Sequence, residues 1–470
     1  MATVDVYLGT QNGDESKGGI TFFNSPNADF YVRFNGGNNA GHEVEEAKLH
    51  YLSAGILHGK KVGLANGVVI YPPALFEELD KNNLSRELIK NVLISERAKV
   101  TIPSHYIMDG LYSIIQGDMA AGSTFKGIAP TYGDKTARFG ISFSDLLEPD
   151  VLEKRVKMVL GYHRKLFSAY EENLKAIEES MIKKFGEKGK KLFDDGLNTE
   201  PNEIIKEFHE LGLQLKNNIV NLSAILNRAY FVNDESIVFE GAQGFHLDVD
   251  RGIYPYGTSS NIFSIEASAG FPLGMLDLNH KHIHGVVKIP MSRVGGGPKP
   301  TKIGGTIEDI LREKGKEYGT TTGRPRDVCW PCEVMVREAI QTCGMTDLAI
   351  VKTDVLGGID TPIKVNTHYT HEEMIYKNEM PASMKVFAEM EPNYREEEPW
   401  DSRETWEWKE AAKQGIDGLD NTHQIFLANF AKNVNIFNFI SNGKVIISVG
   451  PSSKAKFSMP FKELITYATQ

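Results

Sequence analysis

The chain has 470 residues, of which 41% are hydrophobic and 24% charged, with a formal net charge of −10. That is the make-up of an ordinary globular protein, long enough for one large core or for up to about three domains. The acidic balance argues against non-specific attachment to nucleic acid or to a membrane surface, and no apolar run of about 18 residues offers a membrane-spanning helix.

The N-terminal MATVDVYLG has no basic stretch followed by an apolar one and runs straight into a strand, so the protein is expected to be unprocessed and cytoplasmic. That strand leads into GTQNGDESKGG, residues 9–19. The stretch is glycine-rich and contains Lys17, as a phosphate-binding loop would. Yet Lys17 follows Gly13 by four residues, and an acidic pair, Asp14 and Glu15, lies between them. Strands are expected next at DFYVRF (29–34) and VVIYP (68–72), with NGGNNAGHE (35–43) between them and a helix at ALFEELDKN (74–82). From about 150 to 233 the chain turns Lys/Glu-rich and helically periodic, which predicts a helical insertion or subdomain. SIVFEG (236–241) then opens the long polar stretch FEGAQGFHLDVDRGIYPYGTSSN (239–261), and HGVVKIP (284–290) leads into SRVGGGPKPT (292–301). A helical pattern, TIEDILREKGKEYG (306–319), precedes GTTTGRPRD (319–327), and LAIVKTDV (348–355), VNIFNFI (434–440) and KVIISVG (444–450) predict the last strands. The acidic, Trp-rich segment 380–420 reads as loop-like. Most strand candidates lack strict alternation, as strands covered on both faces do. The expectation is an α/β fold, residues 1–470 forming a single large domain on a mostly parallel central sheet.

Each glycine-rich stretch taken alone is most simply a tight turn. Five of them at the ends of apolar runs point further, because open α/β sheets build their ligand crevice from such loops and inward backbone N–H groups cradle anions. Lys352 and Asp354 follow a strand as Lys-x-Asp. A carboxylate there can accept from both N1–H and the 2-amino group of guanine while the lysine stem lies along the ring, although a solvated pair is the plainer reading. Asp14 and Glu15 can serve Mg²⁺ as hard oxygen ligands, or a carboxylate there can act as general base. His42 suits an acid or a hydrogen-bond donor to a transferring phosphoryl group. Arg324 and Arg326 suit a carboxylate or phosphate clamp. The three cysteines, Cys329, Cys332 and Cys343, make no disulfide framework. CWPC (329–332) is read as packing rather than as a redox pair.

Together the loops resemble the adenylosuccinate synthetase family, the GTP-dependent ligases that join IMP to aspartate. The family's GxQWGDEGKGK, GGxNAGH, GIGPxYxDKxxRxG, FEGAQGxxLDxDxGTYPYVTSSN, TTTGRxR, KxDVLDG and SxGP meet GTQNGDESKGG, GGNNAGH, GIAPTYGDKTARFG, FEGAQGFHLDVDRGIYPYGTSSN, TTTGRPR, KTDVLGG and SVGP, in the same order from residue 8 to about 455. The resemblance implies a P-loop-like GTP site and a set of roles. Asp14 would be catalytic base and Mg²⁺ ligand, with the Gly41 carbonyl as a second ligand, and His42 and Gln243 would complete the catalytic set. Gly13, Glu15, Ser16, Lys17, Gly18, Lys352, Asp354, Ser448, Gly450 and Pro451 would hold GTP. Asn39, Thr124, Arg138, Gln243, Thr258 and Val294 would hold the IMP-like nucleotide, Arg138 reaching across a homodimer interface. Thr322, Arg324 and Arg326 would grip aspartate.

The sequence departs from the family pattern at Asn12 (usually Trp), Ser16 (usually Gly), Gly19 (usually Lys), Lys126 with GIAP, CWPC for GWLD, and Ser452 and Ser453 after SVGP. These departures keep open a paralogue acting on another 6-oxopurine nucleotide such as dGMP, or using another phosphate donor. The intact Asp14 favours IMP, since the 2-aminoadenine-making relatives alter that position. A GTP-binding regulatory protein would need neither the TTTGRPR clamp nor the Asp14 and His42 pair. A redox protein built on CWPC would need accessible thiols.

Overall fold

Most of the apolar runs form strands, and polar loops follow their carboxyl ends. The computed structural model describes residues 2–468 apart from 121, 320–322, 324, 436–437 and 451–453. The fold is α/β on mostly parallel strands, and the chain gathers into two compact units. The first holds Asn27–Ala242 and Thr258–Leu276; the second holds Thr3–Pro26, Gln243–Gly257 and the chain from Asp277 onward.

In the first unit the strand order is Ile237–Gly244, Phe30–Arg33, Lys61–Leu64, Val92–Ser95, Ile219–Val220. Every pairing in it is parallel. Helices cover the strands, so Val62, Leu64, Val92 and Ile94 are fully buried. The Lys/Glu-rich stretch forms the helices Pro149–Ala169, Glu171–Phe185, Glu187–Asn198, Pro201–Gln214 and Leu222–Phe231. In the first of these, Leu152, Val156, Val159, Leu160 and Phe167 recur at helical spacing and are buried. They belong to the same apolar cluster as Val62 and Ile94, so this helical segment shares its core with the sheet. Each such side chain contributes about 1.5–3 kcal/mol on burial. The outer face carries i,i+4 ion pairs such as Lys190–Asp194 and Lys191–Asp195.

A buried clasp ties three helices of this unit. Asp134, on Ile128–Thr136, lies 3.0 Å from His105 Nε2 and 3.4 Å from His163 Nε2. His105 Nδ1 accepts the Ile102 N–H at 3.0 Å, so the ring proton sits on Nε2 and is donated to Asp134.

In the second unit the order is Lys456–Pro460, Lys444–Ser448, Asp347–Val351, Lys281–Lys288, Val4–Gly9. Its pairings are parallel except at the Lys456–Pro460 edge. A three-stranded antiparallel sheet, Ile363–His371, Met374–Tyr376 and Glu391–Glu397, lies in the same unit.

Two expectations fail here. VNIFNFI, of which 436–437 lie outside the described residues, contains no strand among the rest: Val434 ends the helix Asn421–Val434, and the Asn435 side chain accepts the Ile440 N–H at 2.9 Å. The segment 380–420 is not loop-like; it contains the helices Met384–Glu389 and Thr405–Lys413 and the strand Glu391–Glu397. Trp400 and Trp408 are buried there, Trp400 stacked on His423 at 4.0 Å between centroids, so these two supply core, whereas Trp406 is exposed. Cys329 and Cys332 are buried, and burial raises their thiols to about 12 and about 11. Cys332 Sγ lies 3.2 Å from Asn366 Oδ1, as a packed thiol does.

Candidate active site

The loop after Val4–Gly9 answers why a phosphate-loop look-alike carries two carboxylates. They point in different directions. Glu15 turns inward and is fully buried. Its Oε1 accepts the N–H groups of Gln11 (3.2 Å) and Gly13 (2.8 Å), and its Oε2 pairs with Lys17 at 2.7 Å. A Cβ on Gly9 would fall 2.3 Å from this carboxylate, and one on Gly244 would fall 2.4 Å from it, so both glycines are required by the close approach. Asp14 turns outward, its side chain 39% exposed. Asp14 and Ser16 both sit at φ 60, in the left-handed region. A glycine suits that backbone better than a serine does, so Ser16 is a strained substitution within the loop. Lys17 and Gly18 begin the helix Lys17–Asn24 and are buried.

Asp14 Oδ2 accepts from Arg326 Nη2 at 2.9 Å. Arg326 is itself buried and its Nη1 pairs with Glu317 Oε2 at 2.9 Å. Glu317 also binds Lys288 Nζ at 3.1 Å, Ser292 Oγ at 2.6 Å and Lys352 Nζ at 3.0 Å. Burial opposes its charge, but Lys288, Lys352, Ser292 and Arg326 outweigh that and hold the carboxyl well below the usual range. Lys352, at φ 63, further donates to the Gly315 carbonyl at 2.7 Å. Its ammonium is thus fixed by Glu317 and the Gly315 carbonyl.

Asp354 follows in the short turn Thr353–Leu356. Its Oδ1 is buried and has no hydrogen-bond partner among the described residues, and burial raises its carboxyl. Gln243, at φ 58, likewise has a buried Oε1 without a described partner. Ser448 and Gly450 are buried at the end of Lys444–Ser448, whereas Val294 is exposed. Thr322, Arg324 and Pro451 lie outside the described residues, as do Ser452 and Ser453.

The first unit carries the remaining candidates. His42 Nε2 lies 3.3 Å from Glu240 Oε1. Glu240 is fully buried on Ile237–Gly244, and it also takes Arg33 Nη1 at 2.9 Å and the Ala54 N–H at 3.1 Å. Asn39 Oδ1 is buried without a described partner, and Gly41 immediately precedes His42, which opens the short strand His42–Val44. Thr124 is half-buried in a loop whose Lys126 and Gly127 N–H groups are held by Asp109 Oδ2 at 2.9 and 3.1 Å. Burial and the neighbouring Lys188, Lys81 and Lys184 lower the Lys126 ammonium to about 8, an excess of positive field that an anion would relieve. Thr258 is half-buried, and Arg138 stands exposed at φ 72.

Glu240, Glu317 and Lys288 were not singled out from the sequence. Glu240 lies inside the FEGAQG motif, where only the glycines and Gln243 carried a chemical reading. Glu317 looks like one more charge at the end of a Lys/Glu-rich helix.

The sequence profile of the adenylosuccinate synthetase family matches residues 6–451. The chain belongs to this family. Its relatives include the adenylosuccinate synthetase of Geobacillus sp. (strain WCH70), 40% identical over 402 residues that make up 84% of this chain and 87% of the relative. That of Bacillus licheniformis is 40% identical over 403 residues, 84% of this chain and 86% of the relative. Among solved structures, the fully ligated adenylosuccinate synthetase of Plasmodium falciparum superposes with a TM-score of 0.81 at 26% identity, covering 97% of this chain and 99% of that one. The cyanophage S-2L succinoaminodeoxyadenylate synthetase, bound to dGMP and dATP, is similar with a TM-score of 0.53 at 15% identity over 99% of both chains, a likeness of fold alone. A family of C–N ligases that uses GTP as co-substrate accounts for the polar loops better than a regulatory GTP-binding protein does. The buried thiols exclude CWPC as an exposed redox pair.

Proposed function

We propose that the protein condenses L-aspartate with IMP at the expense of GTP, giving adenylosuccinate, GDP and phosphate. The observation that carries this reading is the ionic chain Asp14–Arg326–Glu317–Lys352. It links the residue in the base position, an arginine of the aspartate loop and the lysine of the guanine-reading motif.

In the first step Asp14 takes the N1 proton of IMP while O6 attacks the γ-phosphorus of GTP. The P–O bond to GDP breaks and a 6-phosphoryl purine forms. In the second step the amino nitrogen of aspartate attacks C6 and phosphate leaves with O6. Glu240 holds His42 to donate a hydrogen bond to the phosphoryl group in flight, a stabilisation aimed at charge that develops only in the transition state. Asn39 and Gln243, whose buried Oδ1 and Oε1 have no described partners, hold the reacting O6 region of the purine, their side-chain amide N–H groups donating to it. Asp354 Oδ1, in the same condition, accepts from N1–H and the 2-amino group of guanine. Thr124, Thr258 and Arg138 take the 5′-phosphate, near which the crowded Lys126 supplies further positive field. Arg326, with Thr322 and Arg324, receives the carboxylates of aspartate. Gly13, Ser16, Lys17, Gly18, Ser448, Gly450 and Pro451 line the GTP side, whereas Glu15 serves it from within the loop.

The donor set also fits Mg²⁺. The outward carboxylate of Asp14 is a hard oxygen ligand and the Gly41 carbonyl would be another, while Glu15 is engaged elsewhere. The ion would offset the repulsion between phosphates and the Asp14 carboxylate. The protein acts as a cytoplasmic homodimer with Arg138 at the interface; no helix among the described residues is long and apolar enough to cross a membrane.

The test is an assay of the purified protein with GTP, Mg²⁺ and L-aspartate against IMP, dGMP and GMP in turn. Adenylosuccinate from IMP, with equal GDP and phosphate, is the expected outcome. Product from dGMP but not from IMP would assign the acceptor to the other branch of the fold.

A further inference from the structure

We infer that Glu317 is a positioning residue that sets the aspartate-side arginine and the guanine-side lysine with one carboxylate, and so couples the two subsites. The inference rests on the function proposed above. Glu317 lies just past the helix Gly305–Gly315, after Lys316 at φ 51, and its N–H donates to the Arg312 carbonyl at 2.8 Å. Its backbone is therefore pinned by the helix end. Its side chain is 2% exposed.

Both carboxylate oxygens are committed, and to different ends. Oε1 meets Lys352, and Oε2 meets Arg326, Lys288 and Ser292. Lys288 is 1% exposed at the end of the strand Lys281–Lys288, so it fixes the carboxylate to the sheet. Arg326 is also tied to Glu317 through the main chain, its N–H donating to the Glu317 carbonyl at 2.9 Å. One anion thus faces three cations. None of the three can shift without changing the field at the other two, since charges this close in a buried setting interact strongly. A ligand that draws Arg326 toward its own carboxylate leaves Glu317 more fully to Lys352, and a base that presses on the Lys352 stem does the converse. Coupling of this kind is reciprocal. Glu317 need not touch either substrate to act in this way.

The test is Glu317→Gln, with the KM of each substrate measured separately in the full-length protein. The inference expects the KM values for aspartate and for GTP to rise together, each by about tenfold or more, as the loss of charge-assisted hydrogen bonds implies. The KM for IMP should stay within about threefold. A cycle with Lys352→Ala should be non-additive in the KM for GTP, because Glu317 acts through Lys352. Unchanged KM values for aspartate and GTP, or an equal rise in all three, would overturn the inference and leave Glu317 a general stabiliser. If Glu317→Gln does not fold, Glu317→Asp replaces it, keeping the charge and shortening its reach; the same split between substrates is then required. Failure of the wild type to convert IMP would sink the functional reading instead, before any variant is compared.

Discussion

Two buried glutamates organise the two units in different ways. Glu240 lies on a strand and keeps one guanidinium, one backbone N–H and His42. Glu317 lies in a loop and keeps Lys288, Lys352, Arg326 and a hydroxyl. A strand fixes its side chains in alternation, so Glu240 can aim a single ring. A loop brings segments distant in sequence to one carboxylate, so Glu317 can hold several cations in register. On the proposed function, Glu240 would orient one catalytic group, whereas Glu317 would hold two binding groups.

The largest expected effect comes from the residue that neither glutamate touches directly. Asp14→Asn should cut kcat by about 10²–10⁴-fold through loss of the base, and further through loss of a metal ligand, with GTP binding retained. Steady-state turnover beside direct GTP titration checks it, and more than a tenth of wild-type activity would end the assignment. Glu240→Gln then sharpens the comparison. It should lower kcat with little change in the KM for aspartate, the opposite of the Glu317 pattern. It also breaks the buried pair with Arg33, which typically costs about 3–5 kcal/mol, so a lowered thermal midpoint should accompany it. If kcat is untouched while stability falls, Glu240 serves the fold and not His42.

Asp354→Asn probes the base reader beyond Lys352. A buried acceptor facing the wrong edge costs about 1–3 kcal/mol. GTP use should weaken by the corresponding factor and XTP should gain, read as kcat/KM for each nucleotide. Equal use of ATP and GTP by the wild type would remove Asp354 from the role.

The smallest effect is expected at the Asp134 clasp, which contributes to stability. Burial works against its charge, but hydrogen bonds from His105 and His163 lower its carboxyl from 3.8 to about 2. A lowered folded value stabilises above the usual carboxylate range and is lost as pH falls through the folded one. Stability should therefore drop between about pH 4 and pH 2 in the wild type, and less steeply in Asp134→Asn, as followed by urea unfolding at each pH. Equal slopes would mean that Asp134 does not titrate in this window.

Much of this was legible in the sequence because its signals are local. Apolar runs ending in glycine-rich loops announced parallel strands, and the family motifs carried the candidate residues. VNIFNFI misled because its pattern is that of a strand, while Val434 still belongs to a helix and the Asn435 side chain takes the Ile440 N–H, neither of which the pattern reveals. The segment 380–420 read as loop-like because the burial of Trp400 and Trp408 against His423 depends on contacts farther along the chain. The opposite fates of Asp14 and Glu15 were hidden for a similar reason. Nothing in two adjacent carboxylates says which one Gly9 and Gly244 have made room for. Glu317 was invisible because its three cations come from positions 29, 9 and 35 residues away in sequence.

The most direct measurement follows the oxygen at C6. IMP labelled with ¹⁸O at that position is converted with GTP, Mg²⁺ and L-aspartate, and the phosphate released is analysed by mass. Attack of O6 on the γ-phosphorus, with Asp14 taking the N1 proton, predicts that the label leaves in the phosphate, one atom for each adenylosuccinate formed. Unlabelled phosphate beside adenylosuccinate would contradict the 6-phosphoryl route, and with it the roles given to Asp14 and His42.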